Sequence, residues 1–108
     1  MTVNELQTQC GFDTVCLPDS EREIDGVYIG DLLSWVMGRA QENNVWITIM
    51  SNINVIAVAS LADVSCVVLC ESVILDDEVK KTAEEKGINV LTTPLSAYDT
   101  AVLIHRIL

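Results

Sequence analysis

The sequence is poor in basic side chains. It has six Lys and Arg residues against sixteen Asp and Glu residues, so that the formal net charge is -10 over 108 residues. A field of this sign repels phosphate backbones and anionic lipid headgroups. We therefore expect neither a nucleic-acid partner nor a membrane-surface partner. The acidity favours solubility, with a basic partner or a bound cation as the alternatives.

Long apolar runs are also missing. The longest apolar-rich stretch, residues 55–70, is interrupted by Asp63 and is shorter than the roughly 20 residues that cross a bilayer. Residues 1–11 contain neither a basic segment nor a continuous apolar one, which argues against a targeting signal. We therefore expect a cytoplasmic protein, with residues 1–108 forming a single domain.

Signatures of common catalytic sites are absent. None of the five glycines is followed by lysine, which excludes the phosphate-binding P-loop, and their spacing does not fit a dinucleotide fingerprint. The one histidine, His105, has no serine or cysteine at a spacing that indicates a catalytic triad. A zinc site would need carboxylates in unusual numbers. We expect no catalytic residue, metal or cofactor, and an enzyme is the least favoured interpretation.

The four cysteines, Cys10, Cys16, Cys66 and Cys70, lack the CxxC spacing of redox motifs and zinc ribbons. If Cys66 and Cys70 lie on one strand, they share a face but are about 13 Å apart, too far to bind one ion or to form a disulfide. The pattern favours buried, reduced thiols that act as small apolar side chains. A redox or cluster role stays open.

Periodicity predicts an alternation of strands and helices. Strands are predicted at 14–17, 27–29, 45–50, 65–71 and 89–91, and helices at 3–10, 32–43, 53–62, 77–86 and 97–108. Residues 53–62 fit a strand by composition and a helix by length, and the alternation favours the helix. Because 45–50 is apolar on both faces, we expect an α/β fold of three layers. Its mostly parallel sheet has about five strands, with helices on both faces.

Two of the predicted helices carry more specific expectations. In helix 32–43 an apolar stripe comprises Leu32, Leu33, Val36, Met37 and Ala40. On its other flank Trp35 is expected to be half-buried, with the guanidinium of Arg39 able to stack on its ring. The last helix has too many apolar positions for one core-facing stripe, which indicates either an oligomer contact or a truncated boundary.

The junction at Gly30 and Asp31, where a strand changes directly into a helical pattern, is the first place to seek a ligand site. In open α/β sheets ligands bind at the carboxyl ends of the strands. Small polar groups near those ends suit hydrogen-bonded recognition at helix amino termini. The alternative is that Asp31, Asn52 and Ser96 only cap helices. The candidate ligand-binding residues are Gly30, Asp31, Ser34, Thr48, Asn52, Asn54, Glu71 and Thr93.

The segments GVYIGDLLSWVMGRAQENNVWITIMSNINVIAVASLADVSCVVLCE, DDEVKKTAEEKGINVLTT and SAYDTAVLI resemble the DRTGG domain family. The resemblance spans nearly the whole chain and implies an α/β fold related to the amino-terminal domain of HPr kinase/phosphorylase. The family also occurs as a module in phosphotransacetylases and CBS-domain pyrophosphatases. Stand-alone members resembling this chain are found beside iron-hydrogenase genes.

The name-giving motif of the family is not intact in this chain. The matching residues read Gly30-Asp31-Leu32-Leu33-Ser34, so that only Asp31 carries over. A phosphate-binding turn requires a cation and close backbone approach. The absence of the arginine and the glycine pair therefore argues against phosphate binding at this turn.

The resemblance implies a non-catalytic regulatory or interaction module. We expect a homodimer that binds a small, nucleotide-like ligand at the carboxyl ends of the strands. The alternative, which also comes from the resemblance, is an accessory protein of an iron–sulfur hydrogenase system with a hydrogenase-related protein partner. The acidic charge permits docking to such a partner, whereas the cysteine spacing argues against cluster handling.

Overall fold

Five strands form one sheet in the order β1-β5-β4-β3-β2 in the computed structural model, which describes all 108 residues. The strands are β1 (Asp13–Cys16), β2 (Val27–Ile29), β3 (Val45–Thr48), β4 (Cys66–Leu69) and β5 (Val90–Thr92). The helices are α1 (Val3–Cys10), α2 (Leu33–Arg39), α3 (Ile53–Ala62), α4 (Asp77–Glu85) and α5 (Ala97–His105). Only β1 runs antiparallel to its neighbour. The predicted mostly parallel α/β fold is confirmed.

Helices cover both faces of this sheet. Every residue of β3 and β4 is buried, and alternate side chains of a strand point to opposite faces. Trp46 and Val67 pack with residues of α2, α3 and α4 in one apolar cluster, whereas Ile47 and Val68 pack with residues of α1 and α5 in another. The prediction of three layers, a sheet between two layers of helices, from the apolar character of both faces of β3 is therefore confirmed.

Capping side chains define several helix ends. Thr2 accepts a hydrogen bond from the Glu5 amide, and the Glu5 side chain accepts one from the Thr2 amide, so that the two form a capping box. The segment of ambiguous periodicity is α3, which begins after Asn52 and ends at Asp63, a residue with a left-handed φ of 57°. The prediction of a helix there is confirmed.

The second helix is shorter than predicted. It ends at Arg39 instead of at residue 43, because the following residues form a turn in which the Gln41 amide donates to Asn44 Oδ1 at 2.9 Å. The predicted stripe is wrong in part. Leu32 and Met37 are exposed, because α2 packs mainly against α3, which leaves Val36 as its one fully buried side chain.

Buried Asn89 organises the loops at the amino ends of the strands. Its amide nitrogen donates to the carbonyls of Asp19 and Ser65 at 2.8 and 2.9 Å, and its oxygen accepts from the Asp19 amide at 2.9 Å. Since buried polar groups need partners, this side chain fixes the loop before β2 against the start of β4. Nothing in the local sequence pattern distinguishes it from an ordinary loop asparagine.

The four cysteines are free thiols. Cys16, Cys66 and Cys70 are buried and Cys10 is partly buried. Cys66 and Cys70 belong to the same apolar cluster, as expected for one face of a strand. Burial raises the pKa of the Cys66 thiol to about 12, with a smaller opposing effect from Arg22. The prediction of buried, reduced cysteines is confirmed for these three.

None of the five helices combines the length and the apolar character needed to cross a bilayer.

Candidate ligand site at the carboxyl edge of the sheet

The eight candidate ligand-binding residues lie along one edge of the sheet. Strands β2 to β5 run parallel, so that their carboxyl ends and the helix starts that follow meet there. The candidates form two groups. The group beside β2 and β3 comprises Gly30, Asp31, Ser34, Thr48, Asn52 and Asn54, and the group beside β4 and β5 comprises Glu71 and Thr93.

Asp31 links the ends of β2 and β3. One carboxylate oxygen, Oδ1, accepts hydrogen bonds from the Thr48 hydroxyl at 2.8 Å and from the Ile49 amide at 3.0 Å. The Thr48 hydroxyl also accepts from the Met50 amide at 3.2 Å, and Thr48 is buried. The structure thus brings Asp31 and Thr48 into direct contact.

The capping interpretation of Asp31 is wrong. Helix α2 begins after Leu32, and no side chain caps it. Since Asp31 lies one residue too early to reach the free amides of the helix, its carboxylate bonds across to β3. The interpretation is correct for the other two residues: Asn52 accepts from the Asn54 amide at 2.9 Å, and Ser96 accepts from the Asp99 amide at 3.1 Å.

Gly30 allows close packing beneath this group. Its carbonyl accepts from the Trp46 indole at 2.8 Å, and its amide donates to the Ile47 carbonyl at 3.2 Å. A Cβ atom at this position would lie 2.9 Å from the Tyr28 ring. Glycine therefore leaves room for the ring, which would have to shift if a Cβ were present. The nearby side chains of Ser34 and Asn54 are exposed.

The second group lies on an unusual stretch of backbone. Glu71 and Ser72 both have left-handed φ angles, 58° and 60°, which few non-glycine residues adopt. Their amides donate to the carbonyls of Leu95 and Thr93 at 2.9 and 3.1 Å. The Thr93 hydroxyl accepts from the Leu95 amide at 3.3 Å. These bonds hold the end of β4 beside the end of β5, which places Glu71 near Thr93.

An open pocket of about 480 Å³ lies next to the second group. Among the eight candidates, only Thr93 lines it. The sequence interpretation missed Lys80, because its position in α4 gave no indication that it faces the strand ends. It also missed Asp13, since the place of β1 beside β5 cannot be derived from periodicity. The lining residues are Asp13, Val15, Ser72, Val73, Ile74, Leu75, Asp77, Lys80, Thr92, Thr93 and Pro94.

The edge beside the first group is more apolar than the sequence interpretation expected. Leu32 and Ile49, which adjoin Asp31 and Thr48, are exposed large side chains. Farther along α2, the Arg39 guanidinium carbon lies 3.9 Å from the centroid of the Trp35 ring, which confirms the predicted stacking. Trp35 is 53% exposed, which agrees with the expectation of a half-buried side chain.

No three His, Cys, Asp or Glu side chains converge on a position that could hold a metal ion. The edge offers hydroxyls, backbone amides, one lysine, apolar side chains and the carboxylates of Asp13, Asp31, Glu71 and Asp77. Such groups can bind a ligand by hydrogen bonds and packing.

A mostly parallel sheet with helices on both faces and a pocket at its carboxyl edge defines the class: a small α/β module. The chain belongs to the DRTGG domain family, whose sequence profile matches residues 13–107. The resemblance seen in the sequence is confirmed. No curated protein sequence matches the chain.

Among solved structures, the chain is similar to the CBS and DRTGG domains of the regulatory region of Clostridium perfringens pyrophosphatase, in complex with the activator diadenosine tetraphosphate. The TM-score is 0.74 at 14% sequence identity. The match covers 95% of this chain and 45% of the pyrophosphatase chain, so that this chain corresponds to less than half of it. The similarity establishes a shared fold.

Proposed function

We propose that the protein is a non-catalytic, cytoplasmic regulatory module that binds a small, nucleotide-like ligand at the carboxyl edge of its sheet and acts as a homodimer. The observation that carries the ligand half of this proposal is the pocket beside Thr93. Membership in the DRTGG family and the fold shared with a nucleotide-regulated pyrophosphatase region support it.

The pocket has the chemistry to hold a base and an anionic group. Apolar side chains, among them Val15 and Leu75, line it and can pack against a flat ring. The hydroxyls of Thr92 and Ser72 are available for hydrogen bonds. Lys80 supplies the one cation among the lining residues, with Asp13 and Asp77 also in the lining. This balance of charge favours a phosphate that carries Mg²⁺ over a bare polyanion.

The other candidates contribute through the shape of the edge. Asp31 and Thr48 fix the end of β3, and Asn52 fixes the start of α3. Glu71 is exposed next to the pocket, where its carboxylate can accept from a ribose hydroxyl. The side chains of Ser34, Asn54 and Asp31 are exposed at the ends of β2 and β3, and we propose them as secondary contacts of a longer ligand.

Thermal-shift measurements with adenine nucleotides, including diadenosine tetraphosphate, each with Mg²⁺, test the ligand half. A ligand at roughly 100 times its Kd adds about 2.7 kcal/mol to the stability of the folded state, which corresponds to an increase in Tm of about 10 °C or more. Lys80→Ala should reduce the shift, whereas Lys81→Ala, at an exposed position outside the pocket lining, should not. A flat response across the panel would contradict ligand binding. Phosphate release from any of the nucleotides would contradict the non-catalytic assignment.

The alternative is an accessory protein of an iron–sulfur hydrogenase system, and the buried thiols argue against its cluster-handling form. Burial raises the pKa values of the Cys16 and Cys70 thiols, which disfavours the thiolates that bind a cluster. After anaerobic iron–sulfur reconstitution we expect a colourless protein. A stable visible absorption band that is lost in a Cys10→Ala variant would favour cluster handling instead.

A further inference from the structure

Helix α5 has two apolar sides. Its inner side contributes Thr100 and Ile104, both fully buried, to the packing against the sheet. The outer side presents Tyr98, Ala101, Val102, His105 and Leu108, with the i, i+3, i+4, i+7 spacing of a helix that packs against another element. Tyr98 is 75% exposed. The outer side of α5 is thus a largely apolar surface that its own chain covers only in part.

The edge strand β2 forms the opposite wall of a groove along this outer side. Val27 and Ile29 pair in register with Val45 and Ile47, whose side chains are buried under α1 and α5. On β2 the same sheet face is uncovered, so that Ile29 is 50% exposed. The groove has a volume of about 700 Å³. The groove is lined mainly by apolar side chains from the two elements, so that it offers an apolar surface to a partner.

We propose that a second copy of this chain fills the groove, with the two α5 helices packed antiparallel about a two-fold axis and each Tyr98 seated in the groove of the other copy. This proposal rests on the homodimer that we proposed as part of the function, and it says where the interface of that homodimer lies. It is an isologous contact, in which one surface patch meets itself.

The charges on α5 fit this arrangement. Asp99 lies in the first turn and Arg106 follows the last turn, so that antiparallel packing sets the carboxylate of one copy near the guanidinium of the other. Neither side chain forms an ion pair within its own chain. Antiparallel helices also oppose their dipoles favourably. Local charge complementarity thus offsets the repulsion between two chains that each carry a net charge of -10.

Pairing of the two β2 edges is the less favourable route to a dimer. An antiparallel register centred on Tyr28 would place Asp25 opposite Asp31 of the second copy, and like charges in opposed positions destabilise a sheet. The strand has only three residues, so that it offers few backbone hydrogen bonds. The contact through α5 buries aromatic and aliphatic side chains, which carry most of the energy of interfaces.

Sedimentation velocity over a concentration series spanning the micromolar range tests the interface. We expect a species of twice the chain mass of 11.8 kDa, with a Kd on the order of micromolar. Tyr98→Glu should weaken the dimer by roughly 30-fold or more. The matched control is Leu61→Glu, since Leu61 is also an exposed helical side chain, at 73%, on the distant helix α3. It should leave the Kd unchanged, and circular dichroism checks that both variants are folded.

Exchanging the charges of Asp99 and Arg106 distinguishes loss of the interface from loss of folding, because only a lost interface is restored when both charges are reversed. Asp99→Lys and Arg106→Glu should each weaken the dimer, and the double variant should recover most of the lost affinity. A protein that is monomeric throughout would overturn both the interface and the homodimer. A dimer unaffected by Tyr98→Glu would overturn the interface alone. Binding of an apolar dye to a monomer, abolished by Tyr98→Glu, would assign the groove to a small apolar ligand and also overturn the proposal.

Discussion

Replacing Asp31 by alanine tests whether this residue ties β2 to β3. The substitution removes the acceptor of two hydrogen bonds, one from the buried Thr48 hydroxyl at 2.8 Å and one from the Ile49 amide at 3.0 Å. Hydrogen bonds to a charged acceptor contribute about 1.5–3 kcal/mol each when buried. Because Asp31 itself is exposed, water can replace part of both bonds. We therefore expect a loss of about 2 kcal/mol in the free energy of unfolding.

Urea and thermal unfolding followed by circular dichroism measure this loss. For a domain of this size about 2 kcal/mol corresponds to a decrease in Tm of roughly 8–16 °C. Asp31→Asn retains an acceptor without the charge and should lose about half as much. Ser34→Ala is the control, because its exposed side chain makes no hydrogen bond, and it should stay within about 0.5 kcal/mol. An Asp31→Ala variant as stable as Ser34→Ala would refute a structural role for Asp31.

Three further predictions concern stability. Asn89→Ala should lose about 3 kcal/mol in urea unfolding, since three hydrogen bonds of a buried side chain disappear; a loss below about 1 kcal/mol would contradict this. Gly30→Ala should lose about 1–2 kcal/mol because Cβ would meet the Tyr28 ring at 2.9 Å, whereas Gly38→Ala, inside α2 with no neighbour within 4 Å, should be neutral or stabilising. The buried Cys66 thiol has a pKa raised from 9.0 to about 12. Its contribution to the free energy of unfolding is therefore complete below pH 9.0 and is lost as the pH rises toward about 12. Between these pH values the free energy of unfolding of the unmodified protein should fall more steeply than that of the Cys66→Ala variant, by about 1.4 kcal/mol per pH unit. Equal slopes for the two proteins would argue against a raised pKa of Cys66.

The layered architecture could be predicted because its signals are local. The apolar character of 45–50 on both faces reflects burial between two helix layers, and the caps at Thr2, Asn52 and Ser96 are formed by neighbours in sequence. Gly11 likewise ends α1 with a left-handed φ of 69°, a conformation that glycine adopts readily after a helix. Each of these features depends on residues within one turn of one another.

The site could be predicted only in outline. That the strand ends share an edge follows from a parallel sheet, but which side chains point at one another depends on contacts between distant segments. Asp31 bonds to Thr48, seventeen residues away, instead of capping the adjacent helix. Lys80 enters the pocket because α4 packs near β1, and β1 reaches that place by an antiparallel pairing with β5. Periodicity contains no information about either contact.

The most direct test of the proposed ligand site is a titration of the isotopically labelled protein with diadenosine tetraphosphate and Mg²⁺, in which the amide chemical shifts are measured. We predict saturable shifts centred on Ser72, Thr92 and Thr93, with the Lys80→Ala variant titrating more weakly. The amides of Tyr98 and Val102, on the proposed dimer surface, should respond to protein concentration instead. The absence of saturable shifts at the pocket, or shifts confined to the groove beside β2, would contradict the assignment of the ligand site to the carboxyl edge.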